Sequence, residues 1–345
     1  MSTTAYDLSA IDFNGLIHED VMNKIFEIDN YPLPLTSRIG TDSHSNPRAE
    51  WTIEELAAPA TDNAVIDGAD TTGDDTKEGE RHSNFSQMSV KQVKISQRAQ
   101  NVDTIGYANT LTHQISQRQK ELRRDVEAQM LTAQASVAMT GAAAGISGGL
   151  AAWIKDNTAV ANGTTAGGFN GTTGVVDARA DYSDATDLPL TEQDVREVAT
   201  KVYLEGGEST VLMTTVGAKN KFSEYLFTSS ARVAALQSDV NQSRNAVTAT
   251  GAVNVFVSDD ATLELVGNRL QQPEGTATSV SVFLLDPSML RLSFLQGYQV
   301  APLAKTGTAD ERLMSVDYTL KVLNHNAQGL IANVDQTADV LAVPA

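Results

Sequence analysis

From Ile105 to Val137 the apolar or small residues Ile105, Ala108, Leu111, Ile115, Leu122, Val126, Met130, Ala133 and Val137 recur at gaps of three, four and seven. That spacing places them on one stripe of an α-helix. At 1.5 Å per residue such a helix would run about 50 Å, longer than most globular helices. The mixed gaps lack a sustained heptad with charged flanks, so they favour a packed core helix over a coiled coil. Ahead of the helix the period changes. Ala49 to Ile53 and Met88 to Ser96 read as strands, and between them lies Asp67-Gly68-Ala69-Asp70-Thr71-Thr72-Gly73-Asp74-Asp75, too polar to bury itself. Together they predict a long projecting hairpin, whose length in a compact domain marks a role in reaching outside that domain. Further upstream, one amphipathic stretch from His18 to Ile28 is followed by Tyr31-Pro32-Leu33-Pro34-Leu35. Its prolines forbid a continuing helix and favour an extended arm.

Beyond the helix, residues 141–188 turn rich in Gly, Ala, Thr and Asp and read as loops and short turns. A new unit opens at Thr191, three residues before Asp194, in a capping-box arrangement. Val195, Val198, Ala199 and Val202 then share a face until Gly206 ends the helix. A strand at Thr210 to Met213, a helix at Val216 to Leu226, and strands near Val253 to Val257, Leu263 to Val266 and Val280 to Leu285 follow. This alternation describes an α+β lobe. The closing segments, Met314 to Leu323 and Gln328 to Val334, are strand-like and are expected to pair near the long helix.

Composition changes this picture in three ways. The chain has 345 residues, 41% hydrophobic and 20% charged, enough for about two lobes and inconsistent with wholesale disorder. A formal net charge of -18 denies the chain a basic grip on nucleic acid, so contact with DNA is expected to be weak and non-specific. The absence of cysteine removes disulfides, thiol nucleophiles and thiolate metal sites. The first residues carry Asp7 and Asp12 and no basic segment followed by an apolar run, so no signal peptide is expected. The uncharged run between Glu127 and Lys155 is too weakly apolar to span a membrane. Synthesis in the cytoplasm is the expectation.

The candidate chemistry is thin. Gly145-Ile146-Ser147-Gly148-Gly149 fits the nucleophile elbow of serine hydrolases, but an elbow needs a strand entering and a helix leaving. Here the approach is the tail of an Ala-rich helix, which favours a flexible glycine loop. Lys305-Thr306-Gly307 lacks the serine-lysine partner its enzymatic reading requires. The histidines, His18, His44, His82, His113 and His325, show no pair at helical ligand spacing, and no phosphate-binding glycine loop occurs. The paired carboxylates Asp74-Asp75 and Asp259-Asp260 read as solvated turn residues. No metal and no cofactor is expected, and no enzymatic activity. Glu121-Leu122-Arg123-Arg124-Asp125-Val126-Glu127 mixes charges at helical neighbour spacing. Solvated ion pairs are the plainer reading, and a charge contact between subunits is the functional one.

An arm, a hairpin with a polar tip, a long helix and an α+β lobe follow one another in an order that resembles the major capsid proteins of tailed bacteriophages. Short words support the resemblance: Val93-Lys94-Ile95-Ser96, the mixed-charge helix segment 121–127, Gly148-Gly149-Leu150 with Trp153-Ile154, Leu303-Ala304-Lys305-Thr306-Gly307, Asp317-Tyr318-Thr319-Leu320 and Gly329-Leu330-Ile331. The implied fold is the α+β Hong-Kong-97-like capsid fold. Its divisions would be an N-terminal arm (1–48), an extended β-hairpin loop (49–102), a spine helix with the first part of a peripheral domain (103–187), an axial domain (188–302) and a return to the peripheral domain (303–345). The implied function is a shell of hexamers and pentamers around double-stranded DNA, with a portal and possible cement proteins as partners. A cellular nanocompartment shell is the alternative on the same fold. Because the arm begins almost at Met1, the resemblance implies a separate scaffolding protein. The hairpin tip offers only Lys77, beside Glu78 and Asp75, for the lysine-to-asparagine cross-link of some relatives, so noncovalent clamping is expected. Trp51, Lys77, Glu78, Arg81, Arg123 and Arg124 are the candidate assembly contacts.

Overall fold

The strand Ser279–Leu285 is buried along its whole length, which requires cover on both faces of its sheet. In a computed structural model, which describes residues 24–26, 32–54, 56, 59, 61, 64–68, 78–107, 109–160, 167–179, 189–228, 253–273, 278–305 and 307–337, that cover comes from two cores. The strands are β1 (Gly40–Ser43), β2 (Arg48–Ile53), β3 (Glu80–Phe85), β4 (Gln87–Ser96), β5 (Thr158–Val160), β6 (Gly168–Asn170), β7 (Val175–Asp177), β8 (Val211–Thr214), β9 (Val255–Val257), β10 (Thr262–Gly267), β11 (Ser279–Leu285), β12 (Leu290–Pro302), β13 (Ala309–Val322) and β14 (Gly329–Asp335). The helices are the single turn α1 (Gln97–Gln100), the long α2 (Thr110–Met130), the single turn α3 (Leu150–Trp153), α4 (Glu192–Leu204) and α5 (Val216–Thr228).

One sheet has six strands in the order β5-β14-β11-β8-β10-β9. Alternate residues of its strands go to opposite faces. Met213, Phe283, Leu285 and Leu330 join the core that holds Leu122, Val126 and Trp153. Their neighbours Leu212, Val282, Leu284 and Ile331 join a second core with Val195, Val198, Val202 and Phe222 of α4 and α5. A second sheet, β1-β12-β13-β4, carries α2 on one face, with Val93, Leu292, Met314, Val316 and Tyr318 packed against Leu122 and Val126. β12 lies on the N-terminal side of the expected boundary at residue 302 and β14 on its C-terminal side. β12 pairs with β1 and β13, whereas β14 enters the six-stranded sheet between β5 and β11.

Three sequence expectations are corrected here. The partner of β2 in the hairpin is not Met88–Ser96 but Glu80–Phe85, in a register that sets Trp51 opposite His82. The Met88–Ser96 stretch instead pairs antiparallel with β13, whose apolar alternation offers the longer ladder. The long helix starts at Thr110 and ends at Met130, about 32 Å at 1.5 Å per residue. Asn109 caps it by accepting from Thr112 N at 3.1 Å. The residues after it are claimed by strand-like contacts, Ser136 N to Val176 O at 3.0 Å and a bridge between Val137 and Ile146. Glu127, expected among solvated ion pairs, is fully buried. Its carboxylate accepts from Leu35 N at 2.7 Å, Thr36 N at 2.8 Å, Asn268 Nδ2 at 3.0 Å and the Thr36 hydroxyl. Residues 35–36, the long helix and the segment after β10 therefore meet on one carboxylate.

By contrast α4 forms as its sequence predicts. Thr191 and Asp194 exchange side-chain-to-backbone bonds at 3.1 and 3.2 Å, the buried residues are Val195, Val198, Ala199 and Val202, and Gly206 ends the helix with φ 84. The strands β8 to β11 lie within a residue or two of their expected positions, whereas β1, β3, β5, β6, β7 and β12 had no strand assigned from the sequence.

Candidate assembly surface

The hairpin β2-β3 is fixed at its root and exposed beyond it. Asn84, buried on β3, donates from Nδ2 to Leu320 O at 2.7 Å and Gly148 O at 3.2 Å, while its Oδ1 accepts from Gly148 N at 2.8 Å. Ser147, also buried, places its hydroxyl 3.2 Å from Thr319 Oγ1 and accepts from Leu320 N at 3.4 Å. The Gly145–Gly149 stretch is thus a pinned clasp and not a flexible loop. A Cβ at Gly149 would run into the Thr132 carbonyl oxygen, so glycine is required there by the close approach of two backbones. Asn84, Thr319 and Leu320 N surround the Ser147 hydroxyl with no imidazole among them, which removes the geometry a hydrolase needs. On the opposite side, Arg48 Nε donates to Ser83 Oγ at 2.9 Å, and Ser83 Oγ in turn donates to the Gly174 carbonyl.

The candidate contacts scatter along this framework. Trp51 is half-buried on β2 and packs on Trp153 at 5.4 Å between ring centroids, so part of its apolar surface is spent inside its own chain. Arg81 is exposed and lies 3.3 Å from Glu50, which Arg48 approaches equally closely. Glu78 is exposed two residues ahead of β3, and Lys77 lies outside the described residues. Arg123 sits on the exposed side of α2 with its guanidinium 5.4 Å from the Tyr298 ring centroid. Burial pushes the Tyr298 hydroxyl up, with the Arg123 charge opposing it. Arg124 is half-buried on the same helix. Two acidic residues of the 121–127 segment reach across to β4: Lys91 Nζ is 2.7 Å from Asp125 and 3.6 Å from Glu121. Arg118, 2.5 Å away, holds the Glu121 carboxyl below the usual range.

The structure adds residues that the sequence reading passed over. Leu56, Val65 and Ile66, in the segment that follows β2, are 96%, 67% and 82% exposed. Met88 and Met139, near the hairpin root, are 60% and 79% exposed. Apolar side chains inside a polar loop were the available signal, since scattered single residues need no explanation but a run on one extension does. Among the described residues no group of His, Asp and Glu is placed to hold a metal ion, and no helix is long and apolar enough to cross a membrane.

Comparison with known proteins agrees with this architecture. The SrpI encapsulin of Synechococcus elongatus PCC 7942 superposes with a TM-score of 0.56 at 10% identity, covering 97% of this chain and 98% of that one. The capsid protein of Myoviridae phage XM1 gives 0.55 at 12% identity, over 93% and 100%. These likenesses show the fold, which is the α+β Hong-Kong-97-like capsid fold. In sequence, the major capsid protein of Escherichia phage Phieco32 is 24% identical over 208 residues, 52% of this chain and 58% of that protein. The match therefore spans less than two-thirds of that relative. The model of the SU10 major capsid protein family matches residues 1–335, and the chain belongs to that family, whose members are structural proteins of the phage virion capsid and not enzymes.

Proposed function

We propose that this chain builds the phage head by closing hexamers and pentamers of itself into an icosahedral shell around double-stranded DNA. The observation that carries the reading is the hairpin. It is anchored through Asn84 and Ser83, yet Leu56, Val65 and Ile66 stand open to solvent on the same extension. Covering such residues on a neighbouring subunit would bury apolar surface at about 25 cal/mol per Å² and so link folding of the extension to assembly. Glu78, Arg81 and Lys77 in the hairpin region, and Arg123 and Arg124 of α2, are the proposed polar contacts between subunits, with Trp51 setting the hairpin's root. An acidic chain, formal charge -18, repels packaged DNA and leaves only weak non-specific contact with it. A separate scaffolding protein, a portal and cement proteins are the proposed partners. The family match favours a phage head over a nanocompartment.

The test is assembly of the purified full-length chain, with and without a scaffolding partner, followed by negative-stain imaging and sedimentation. Closed shells are expected, and Ile66→Ser combined with Val65→Ser should leave the monomer's melting temperature within about 2 °C while blocking shell formation. Only discrete monomers from the unmodified chain under both conditions, or shells formed equally well by the double variant, would refute the reading.

A further inference from the structure

Where β3 leaves the body, a stack of rings joins the hairpin to the rest of the chain. His82 is fully buried. Its imidazole lies 3.7 Å from the Phe169 ring of β6 at an interplanar angle of 14°, and 5.9 Å from Trp153 of α3, centroid to centroid. A second imidazole, His325, stacks on it at 5.4 Å and 27°. His325 opens the single turn His325–Ala327 between β13 and β14. One histidine therefore belongs to the hairpin and the other to the body.

Each element that packs on the stack carries charged groups of its own. On β3 itself, Glu80 Oε2 is 3.3 Å from His82 Nε2. From β2, Glu50 is shared between Arg48 and Arg81, each at 3.3 Å. From the β6-β7 pair, Asp177 is bound by Asn170 Nδ2 at 2.8 Å. Arg179, just after β7, donates to Ile154 O at 2.6 Å, and Lys155 runs along Gly168. On the side of His325, Lys201 of α4 is held by Glu197 at 2.7 Å and by the Thr158 carbonyl at 2.9 Å.

We propose that His82 and His325 form an acid-released catch at the root of the hairpin, stacked while at most one imidazole is charged and parted when both are. Glu80 stands where it offsets a first positive charge on His82. A second charge puts two cations face to face at 5.4 Å, one of them stripped of water, and like charges at that range in a poorly solvated place repel strongly. Separation of the rings relieves the repulsion, and the path of separation is movement of β3 away from the turn at His325. Histidine is the side chain suited to this, because its ordinary titration falls in the range of mild acidification. The catch is a property of the single chain and does not depend on shell building.

Trp51 and Trp153 are the chain's two tryptophans, and both lie in the cluster, so intrinsic fluorescence reports on it directly. The full chain is titrated from about pH 8 to about pH 5, and amide exchange in residues 80–85 is followed alongside, corrected for its intrinsic pH dependence. The expected result is a fluorescence transition steeper than a single proton gives, with exchange in 80–85 faster by about tenfold or more at the acid end. In His325→Gln, which keeps a polar side chain but cannot charge, exchange in 80–85 should stay within about twofold across the same range. In His325→Lys, which carries a fixed charge, one proton on His82 completes the pair, so the acid acceleration should remain but follow a single proton rather than the steeper transition. Because His325 is only half-buried, neither variant empties the core. Acid-independent exchange in the unmodified chain would overturn the proposal, and so would the same acid acceleration in His325→Gln.

Discussion

Replacing Glu127 with alanine should be among the most damaging single changes in the long helix. The carboxylate is fully buried and accepts from Leu35 N, Thr36 N, the Thr36 hydroxyl and Asn268 Nδ2. Leu35 is 1% exposed and Asn268 likewise, so water cannot replace the lost acceptor for either donor. A buried unsatisfied donor costs about 1–3 kcal/mol, which puts these two at roughly 2–6 kcal/mol. The Thr36 groups are only half-buried and recover part of their loss from water. Relief of the cost of burying a carboxylate works in the other direction and removes some of the total. The net expectation is a loss of about 3 kcal/mol. Urea unfolding of the full chain, read as the shift in midpoint at constant slope, measures it. Glu127→Gln keeps one oxygen but turns an amide N–H toward a donor, so it should fall between the unmodified chain and Glu127→Ala. Local exchange at residues 33–39 should rise in both variants, because the turn held by Leu33 O and Leu35 O loses its anchor. A change of less than about 0.5 kcal/mol for Glu127→Ala would show that the carboxylate is a passenger and that packing alone seats residues 33–39.

Two further outcomes follow from the same structure. Gly149→Ala should cost about 3 kcal/mol or more, because the added methyl meets the Thr132 backbone and overpacking against backbone has no cheap relief. Gly206→Ala, with φ 84 but open space around it, should cost only about 1–2 kcal/mol, and calorimetric melting that ranks the two in the opposite order would refute the steric account. The Lys321 ammonium, 2.5 Å away, holds the Asp42 carboxyl below its usual range. The pair's contribution is then present at neutral pH and lost as pH falls through the folded-state value, below about pH 4. Asp42 is 45% exposed, so Asp42→Asn should lower stability by well under about 1 kcal/mol at pH 7. The melting curves of variant and parent should converge in acid, and an offset independent of pH would contradict the assignment.

Local order was written within a few residues of where it forms. The cap of α4, its buried valine face and its glycine stop are separated by three to seven residues each, close enough for period and capping chemistry to decide them without the rest of the chain. The lobe strands were legible for the same reason. The candidate contacts were legible only as charged or aromatic residues on an extension. Nothing in the sequence said that Trp51 would spend its ring on Trp153 or that Leu56 and Ile66 would be left open. Tertiary structure alone decided which strand β2 pairs with, where the long helix ends and which polar residues are buried. Asn84 meets Leu320 across 236 residues, and Glu127 meets Leu35 across 92. The pattern around Glu127 reads as solvated because its partners are backbone N–H groups, which every residue but proline carries, and their identity is set only when the two segments are brought together.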